Sequence, residues 1–260
     1  MLKEEQKRVV RALVNDSLDK AEEHWNNAGE QLITASKSMG FTEAMESRSE
    51  SEPSKIPGHE IVQDGETVID EFVAFVADMR GSSRRLVCAT SHRNSDVSGL
   101  QRVYYETSAL LPALAQTVKF KSGNTTEYLG DGVLALFQVD PNDKMKAVYA
   151  AHAAAKNAIG DTRSIVNNIL KSRYRLPGLD LGVGLAMSKS LVTLIGLEGE
   201  KHPKAFGECV FRATKLSGGT NRIIIDKNTR AIWPSERGGT LRFEPKQLSG
   251  VDGYLLCQND

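Results

Sequence analysis

Residues 125–139 read TTEYLGDGVLALFQV, two β-rich segments around Gly130-Asp131-Gly132. An Asp-Gly step between alternating and apolar runs is a strong short-range hairpin signal, so two antiparallel strands are expected here. Upstream, residues 75–83 read FVADMRGSS: a strand expected over 71–77 runs into an acid, a base, a glycine and two serines. Buried strand ends seldom carry charge without a partner. Either Asp78 pairs with Arg80 at the edge of a core, or Asp78 waits for a cation.

Working outward from this pair, the periodicity predicts a helix over 97–117, carrying Leu100, Val103, Tyr104, Leu110, Leu111 and Leu114. An Ala-rich helix is expected over 142–172, stopped by Leu176-Pro177-Gly178. Strands follow at 179–187 and 190–197, a helix from about Glu208, and strands at 221–225, 240–244 and 253–258. The order is that of an α+β, ferredoxin-like β-α-β-β-α-β sandwich. Residues 67–260 are read as this domain. Residues 1–35 are an amphipathic helical segment with Val9, Val10, Leu13, Leu18 and Ala21 on its apolar side. Residues 36–66, rich in Ser, Glu, Gly and Pro, read as a flexible linker or long loop.

In a β-α-β-β sheet the first strand neighbours the hairpin antiparallel, which would bring Asp78 and Asp131 to one point. Two adjacent carboxylates repel unless a divalent cation lies between them. Hard oxygen ligands with open positions suit Mg2+ or Mn2+ bound with a phosphate substrate. The segment after Asp78 (Met79, Arg80, Gly81, Ser82, Ser83) offers backbone N–H groups and a glycine that lets phosphates approach. The competing reading is plainer: Asp131 is the acid of an Asp-Gly turn, and Asp78 a strand-end acid paired with Arg80.

The 260 residues carry 33 basic and 33 acidic side chains, so no net field advertises a nucleic-acid or membrane partner. The N-terminal MLKEEQKR has no apolar region behind it, and no apolar run is long enough for a membrane span. Cys88, Cys209 and Cys257 are odd in number and widely spaced, neither a disulfide framework nor a zinc site. A reduced, cytoplasmic protein is expected.

FVADMRGSS and EYLGDGVLALF together resemble the two metal-binding motifs of class III nucleotidyl cyclases. LDLGVGLAMSKSLVTLIG with FGECVFRATKLS is similar to that family's glycine-punctuated strand pair and catalytic helix. The resemblance spans about residues 68–258. It implies that Asp78 and Asp131 hold two Mg2+ or Mn2+ ions and that the backbone of 79–83 cradles a triphosphate. A ribose 3′-hydroxyl would attack the α-phosphorus, with pyrophosphate leaving. It also implies a homodimer with shared sites, the aspartates of one chain facing the base-reading and transition-state residues of the other.

Glu127 stands where adenylate cyclases of the family carry lysine and guanylate cyclases glutamate. Lys204 stands where aspartate serves adenine and cysteine serves guanine. Phe211 and Lys215 replace the family's asparagine and arginine. A Glu/Lys pair accepts one N–H and donates to one carbonyl, which fits uracil; cytosine or guanine fit in other poses, and the adenine pattern is contradicted. Phe211 is either a core residue or one that narrows the pocket, and Lys204 either a base reader or a solvated loop lysine. Lys215 lies at i+4 from Phe211 and supplies point charge without an arginine's fork. A standalone cyclase domain with atypical base readers resembles the pyrimidine cyclases of bacterial anti-phage (Pycsar) systems. Those make cyclic UMP or cyclic CMP and signal to an effector that binds the product. The alternatives are a guanylate or adenylate cyclase, or an inactive cyclase-like nucleotide-binding or dimerisation domain.

Overall fold

The computed structural model describes residues 1–35, 51–87, 97, 99–197, 199–234, 239 and 241–258. The first element is a 32-residue helix, α1 (Glu4–Ala35), whose two first-turn acids complement the helix dipole. Its buried stripe is Val10, Val14, Leu18 and Ala21; the expected stripe is rotated, because Val9 faces solvent and Val14 takes the inward position. Residues 51–63, expected within a flexible linker, form an antiparallel pair, β1 (Ser51–Ile56) and β2 (His59–Gln63). Ile56 and Val62 anchor that pair on the main sheet, two apolar contacts that a Ser- and Glu-rich composition conceals.

Next come β3 (Val68–Met79), a short α2 (Ser82–Val87) and α3 (Gly99–Lys119). The hairpin of β4 (Asn124–Leu129) and β5 (Gly132–Gln138) turns where the Asp-Gly step predicts. The Ala-rich segment is not one helix. It comprises α4 (Lys144–Asn157), a π-helical turn at Ala158–Thr162 containing Gly160, and α5 (Arg163–Tyr174).

The two strands expected over 179–187 and 190–197 are a single 15-residue strand, β6 (Leu181–Ile195). Ser188 and Lys189 look like a break in sequence, but they pair with Phe72 and Glu71 of β3, so the ladder runs through them. An unexpected strand, β7 (His202–Gly207), folds back on the end of β6. The chain continues through α6 (Glu208–Leu216), β8 (Arg222–Asp226), α7 (Lys227–Ile232), β9 (Leu241–Leu248) and β10 (Val251–Gln258).

The main sheet has the order β4-β5-β3-β6-β8-β10-β9, with β7 attached to β6. β3 lies between β5 and β6 and is antiparallel to both, which is the arrangement of the β-α-β-β-α-β unit. Residues 72–77 of β3 are all buried because both faces of the sheet are covered. On one face Val73, Phe75, Val133 and Phe137 meet Leu110 and Leu114 of α3 together with α1, α4 and α5. On the other, Phe72, Val76, Leu134 and Leu136 meet Ile56, Val62 and Cys209 and Ala213 of α6. Each large side chain so buried contributes roughly 1.5–3 kcal/mol. Gly182 and Gly184 let α6 lie this close: a Cβ at either would collide with the carbonyl of Ser217 or Ala213.

Candidate active site

β3 ends beside the β4–β5 turn. Asp78 pairs with Gly132 in the ladder, and the Met79 N–H donates to the Asp131 carbonyl at 3.0 Å. On its other side Asp78 pairs with Gly182 of β6. A Cβ on Gly132 would collide with the Ala77 carbonyl, so the turn packs against β3 by backbone alone. Asp78 and Asp131 therefore come from adjacent strand ends, as the sequence pattern predicts.

The Arg80 guanidinium lies against the Asp78 carboxylate, so the ion pair foreseen as the plain alternative is made. Burial lowers the Arg80 pKa, and the Asp131 carboxylate opposes that shift; the Arg80 Nε has no hydrogen-bond partner. One half-buried guanidinium thus supplies positive charge to both acids. The Asp131 carboxylate also accepts from the hydroxyl of Ser82, the first residue of α2. Gly81, exposed and at a φ of 72°, makes the turn between strand and helix, and Ser83 is exposed beside it.

The donor set suits a hard divalent cation: Asp78 and Asp131 stand at adjacent strand ends, the Ser82 hydroxyl meets Asp131, and Arg80 already supplies counter-charge there. Among the described residues no group of three or more His, Cys, Asp or Glu could hold a metal ion. Water and phosphate oxygens would have to complete the shell, as is usual for Mg2+.

A second group lies on β4 and β7. The Lys204 Nζ is 2.8 Å from Glu127 Oε1, with both side chains more than a third exposed. Lys204 is therefore a strand residue paired with Glu127 rather than a solvated loop lysine. Tyr128, next to Glu127, is 55% exposed and lies 5.8 Å below the Lys55 ammonium of β1.

The third group is on α6. Phe211 is 61% exposed, which removes the core reading for it, and its ring centroid is 5.6 Å from the Lys215 Nζ. A cation over an aromatic face is attracted by the ring quadrupole, so the i+4 spacing places these two together. Among the described residues, no hydrogen bond or ion pair joins the aspartates to Glu127–Lys204 or to Phe211–Lys215.

Sequence reasoning missed the Ser82 hydroxyl as a partner of Asp131 and Lys55 as a neighbour of Tyr128. The first is implicit in MRGSS; the second lies in the segment read as linker.

No family model matches the chain. The adenylyl cyclase CyaB from P. aeruginosa has a similar structure, with TM-score 0.59 and 16% identity over 75% of this chain and 97% of that one. The guanylate cyclase domain of RhGC from Catenaria anguillulae, in complex with GTP, gives TM-score 0.53 and 15% identity over 75% and 100%. The fold is that of a class III nucleotidyl cyclase domain. In sequence, the chain is 28% identical over 110 residues to the terminal-differentiation-specific adenylate cyclase of Dictyostelium discoideum. That stretch is 42% of this chain and 5% of the relative, so the match concerns a small part of a much longer protein. Within the cyclase fold Asp78 and Asp131 occupy neighbouring strand ends, and among the described residues no helix is long and apolar enough to cross a membrane.

Proposed function

We propose that the chain is a metal-dependent nucleotidyl cyclase that converts a pyrimidine nucleoside triphosphate, UTP ahead of CTP, into the 3′,5′-cyclic nucleotide. The observation that carries this reading is the convergence of Asp78 and Asp131 at the β3 end and the β4–β5 turn. Two Mg2+ or Mn2+ ions there would activate the ribose 3′-hydroxyl and neutralise phosphate charge. The 3′-oxygen forms a bond to the α-phosphorus, the bond to the β-phosphate oxygen breaks, pyrophosphate leaves, and the hydroxyl proton passes to solvent.

The residues of the chain bind and orient. Asp78 and Asp131 hold the cations, and the backbone of 79–83 lies against the phosphates. Arg80, which lies against Asp78, would turn its guanidinium to the phosphate oxygens when the triphosphate binds. Glu127 accepts the N3–H of uracil and Lys204 donates to O4, so their ion pair opens on the base. Lys215, held beside Phe211, supplies positive charge to the transition state.

Glu127 also favours a second reading, a guanylate cyclase, which Lys204 opposes; an adenylate cyclase or an inactive nucleotide-binding domain is the remaining alternative. Among the described residues no hydrogen bond or ion pair joins the aspartates to the α6 pair, which supports a homodimer whose sites are shared between subunits. The exposed Ile195, Phe206 and Phe211 would lie at that interface. The proposed biological role is second-messenger synthesis in anti-phage defence, with an effector that binds the cyclic product. The test is incubation with each of the four NTPs plus manganese and identification of the products. Cyclic UMP as the main product is expected; cyclic GMP alone would select the second reading, and no cyclic product the inactive one.

A further inference from the structure

Glu106 lies in the middle of α3 with no exposed surface at all, a carboxylate in the helical core. Its Oε1 accepts from Arg102 Nε at 2.9 Å, one turn away on the same helix, and from Arg85 Nη1 at 2.8 Å. Its Oε2 has no partner. One arginine would suffice to neutralise the acid, and both arginine side chains are largely buried, at 6% and 16% exposure. Burying a second guanidinium is costly without a structural return.

The return is visible in where Arg85 starts. It belongs to α2, a six-residue helix too short to be stable by itself. Its Nη2 donates to the Gly178 carbonyl at 2.8 Å, so the fork bridges α3 and the connector that leads into β6. The same connector accepts the Arg80 N–H through the Asp180 carbonyl at 2.8 Å. Ser82, whose hydroxyl meets Asp131, lies three residues before Arg85 and hence on the same side of α2. The 79–83 turn is thus fixed at one end by Asp180 and at the other by a guanidinium seated in the core.

We infer that Arg85, locked by Glu106 and Gly178, is a positioning residue that sets the 79–83 turn and the Ser82–Asp131 contact for metal and triphosphate. The inference rests on the proposed cyclase site. Arg102 provides the internal control, because it neutralises the same carboxylate from within α3.

The experiment uses the full chain and two readouts that need no turnover. The first is amide hydrogen exchange over residues 79–87 in the metal-free protein. The second is calorimetric binding of Mn2+ with inorganic tripolyphosphate. Arg85→Met is expected to speed exchange in this segment at least tenfold and to weaken binding about tenfold, with Glu106→Gln moving both in the same direction. Arg85→Lys, which keeps charge and loses the fork, should fall between wild type and Arg85→Met; it also serves if Arg85→Met does not fold. Arg102→Met is expected to stay within about twofold of wild type in both. Unchanged exchange in the Arg85 variants overturns the inference. So does an equal response to Arg102→Met, which would mark the cluster as core stability alone. If the wild type does not bind manganese and tripolyphosphate, the cyclase site itself fails, and the role assigned to Arg85 in metal and phosphate binding falls with it. Binding by the wild type with unaltered binding by Arg85→Met overturns the inference and leaves the cyclase site standing.

Discussion

The two faces of the central sheet are covered by different means. Under the helices, Val73, Phe75 and Phe137 meet long complementary surfaces of α1, α3, α4 and α5, and this core is continuous. On the opposite side a small pair of strands and one nine-residue helix cover Phe72, Val76 and Leu136. On the elements of that side, Ile195, Phe206 and Phe211 remain 49%, 74% and 61% exposed. The strands and helix of that side also carry Glu127, Lys204 and Lys215, and exposed apolar side chains among such groups fit the proposed interface. The contrast separates two roles: the helical face holds the fold together, and the other carries the side chains proposed above to meet a substrate and a second copy.

The largest effect should come from the strand ends that both faces share. Asp78→Asn or Asp131→Asn is expected to lower cyclisation by at least a thousandfold, about 4 kcal/mol of barrier. Thermal melting should fall slightly in Asp78→Asn, which leaves the half-buried Arg80 guanidinium without its paired carboxylate, with the fold retained. Full activity in either variant at limiting magnesium would show that the two acids are only a turn and its neighbour.

The comparison of faces itself can be broken by paired truncations. Leu114→Ala, on the helical side and fully buried, should cost about 2–5 kcal/mol in urea unfolding. Phe206→Ala, on the open side, should change monomer stability by less than about 0.5 kcal/mol. It should instead weaken self-association in sedimentation experiments. A Phe206 variant that unfolds easily while sedimenting as before would mean that the two faces do not differ in kind.

A smaller effect is expected at Glu127. Removing it leaves a base N–H unpaired, which costs about 1–3 kcal/mol, or roughly ten- to hundredfold in discrimination. Glu127→Ala should therefore blur the preference among UTP, CTP and GTP more than it lowers total turnover. An unchanged ratio of products would move specificity to Tyr128 or Phe211.

How much of this could be read without coordinates follows from how local each signal is. The run in β3 and the Asp-Gly turn are local, and antiparallel neighbours bring their ends together, so Asp78 and Asp131 were legible as a pair. β6 was legible as strand and mistaken at Ser188-Lys189, where cross-strand pairing overrides a polar interruption. β1 and β7 both carry Pro and Lys and owe their form to tertiary contacts, so nothing in SEPSKI or HPKAFG announces a strand. The partner choice of Arg85 was illegible for the same reason: Glu106 lies far along the chain, and nothing local distinguishes it from a solvated helical acid.

The smallest expected effect belongs to the helical side and tests how closed that side is. His152 of α4 packs edge-on against Trp233, 4.9 Å between ring centres. Burial, with a lesser contribution from Lys156 one turn on, pushes its pKa down from 6.5 to about 4. Above pH 6.5 both folded and unfolded chains keep this imidazole neutral, and stability is unaffected. Between pH 6.5 and 4 the unfolded chain takes up a proton that the folded chain refuses, so stability falls as the pH falls. From pH 6.5 to 5.5, above the range where most carboxylates titrate, the loss should be about 1 kcal/mol. His152→Phe keeps an aromatic ring against Trp233 and removes the titration, so its stability should decline less over that interval. Urea unfolding of both proteins at the two pH values measures the difference. If the two decline in parallel, His152 is hydrated in the folded chain, and the helical face is more open at α4 than its packing against Trp233 implies.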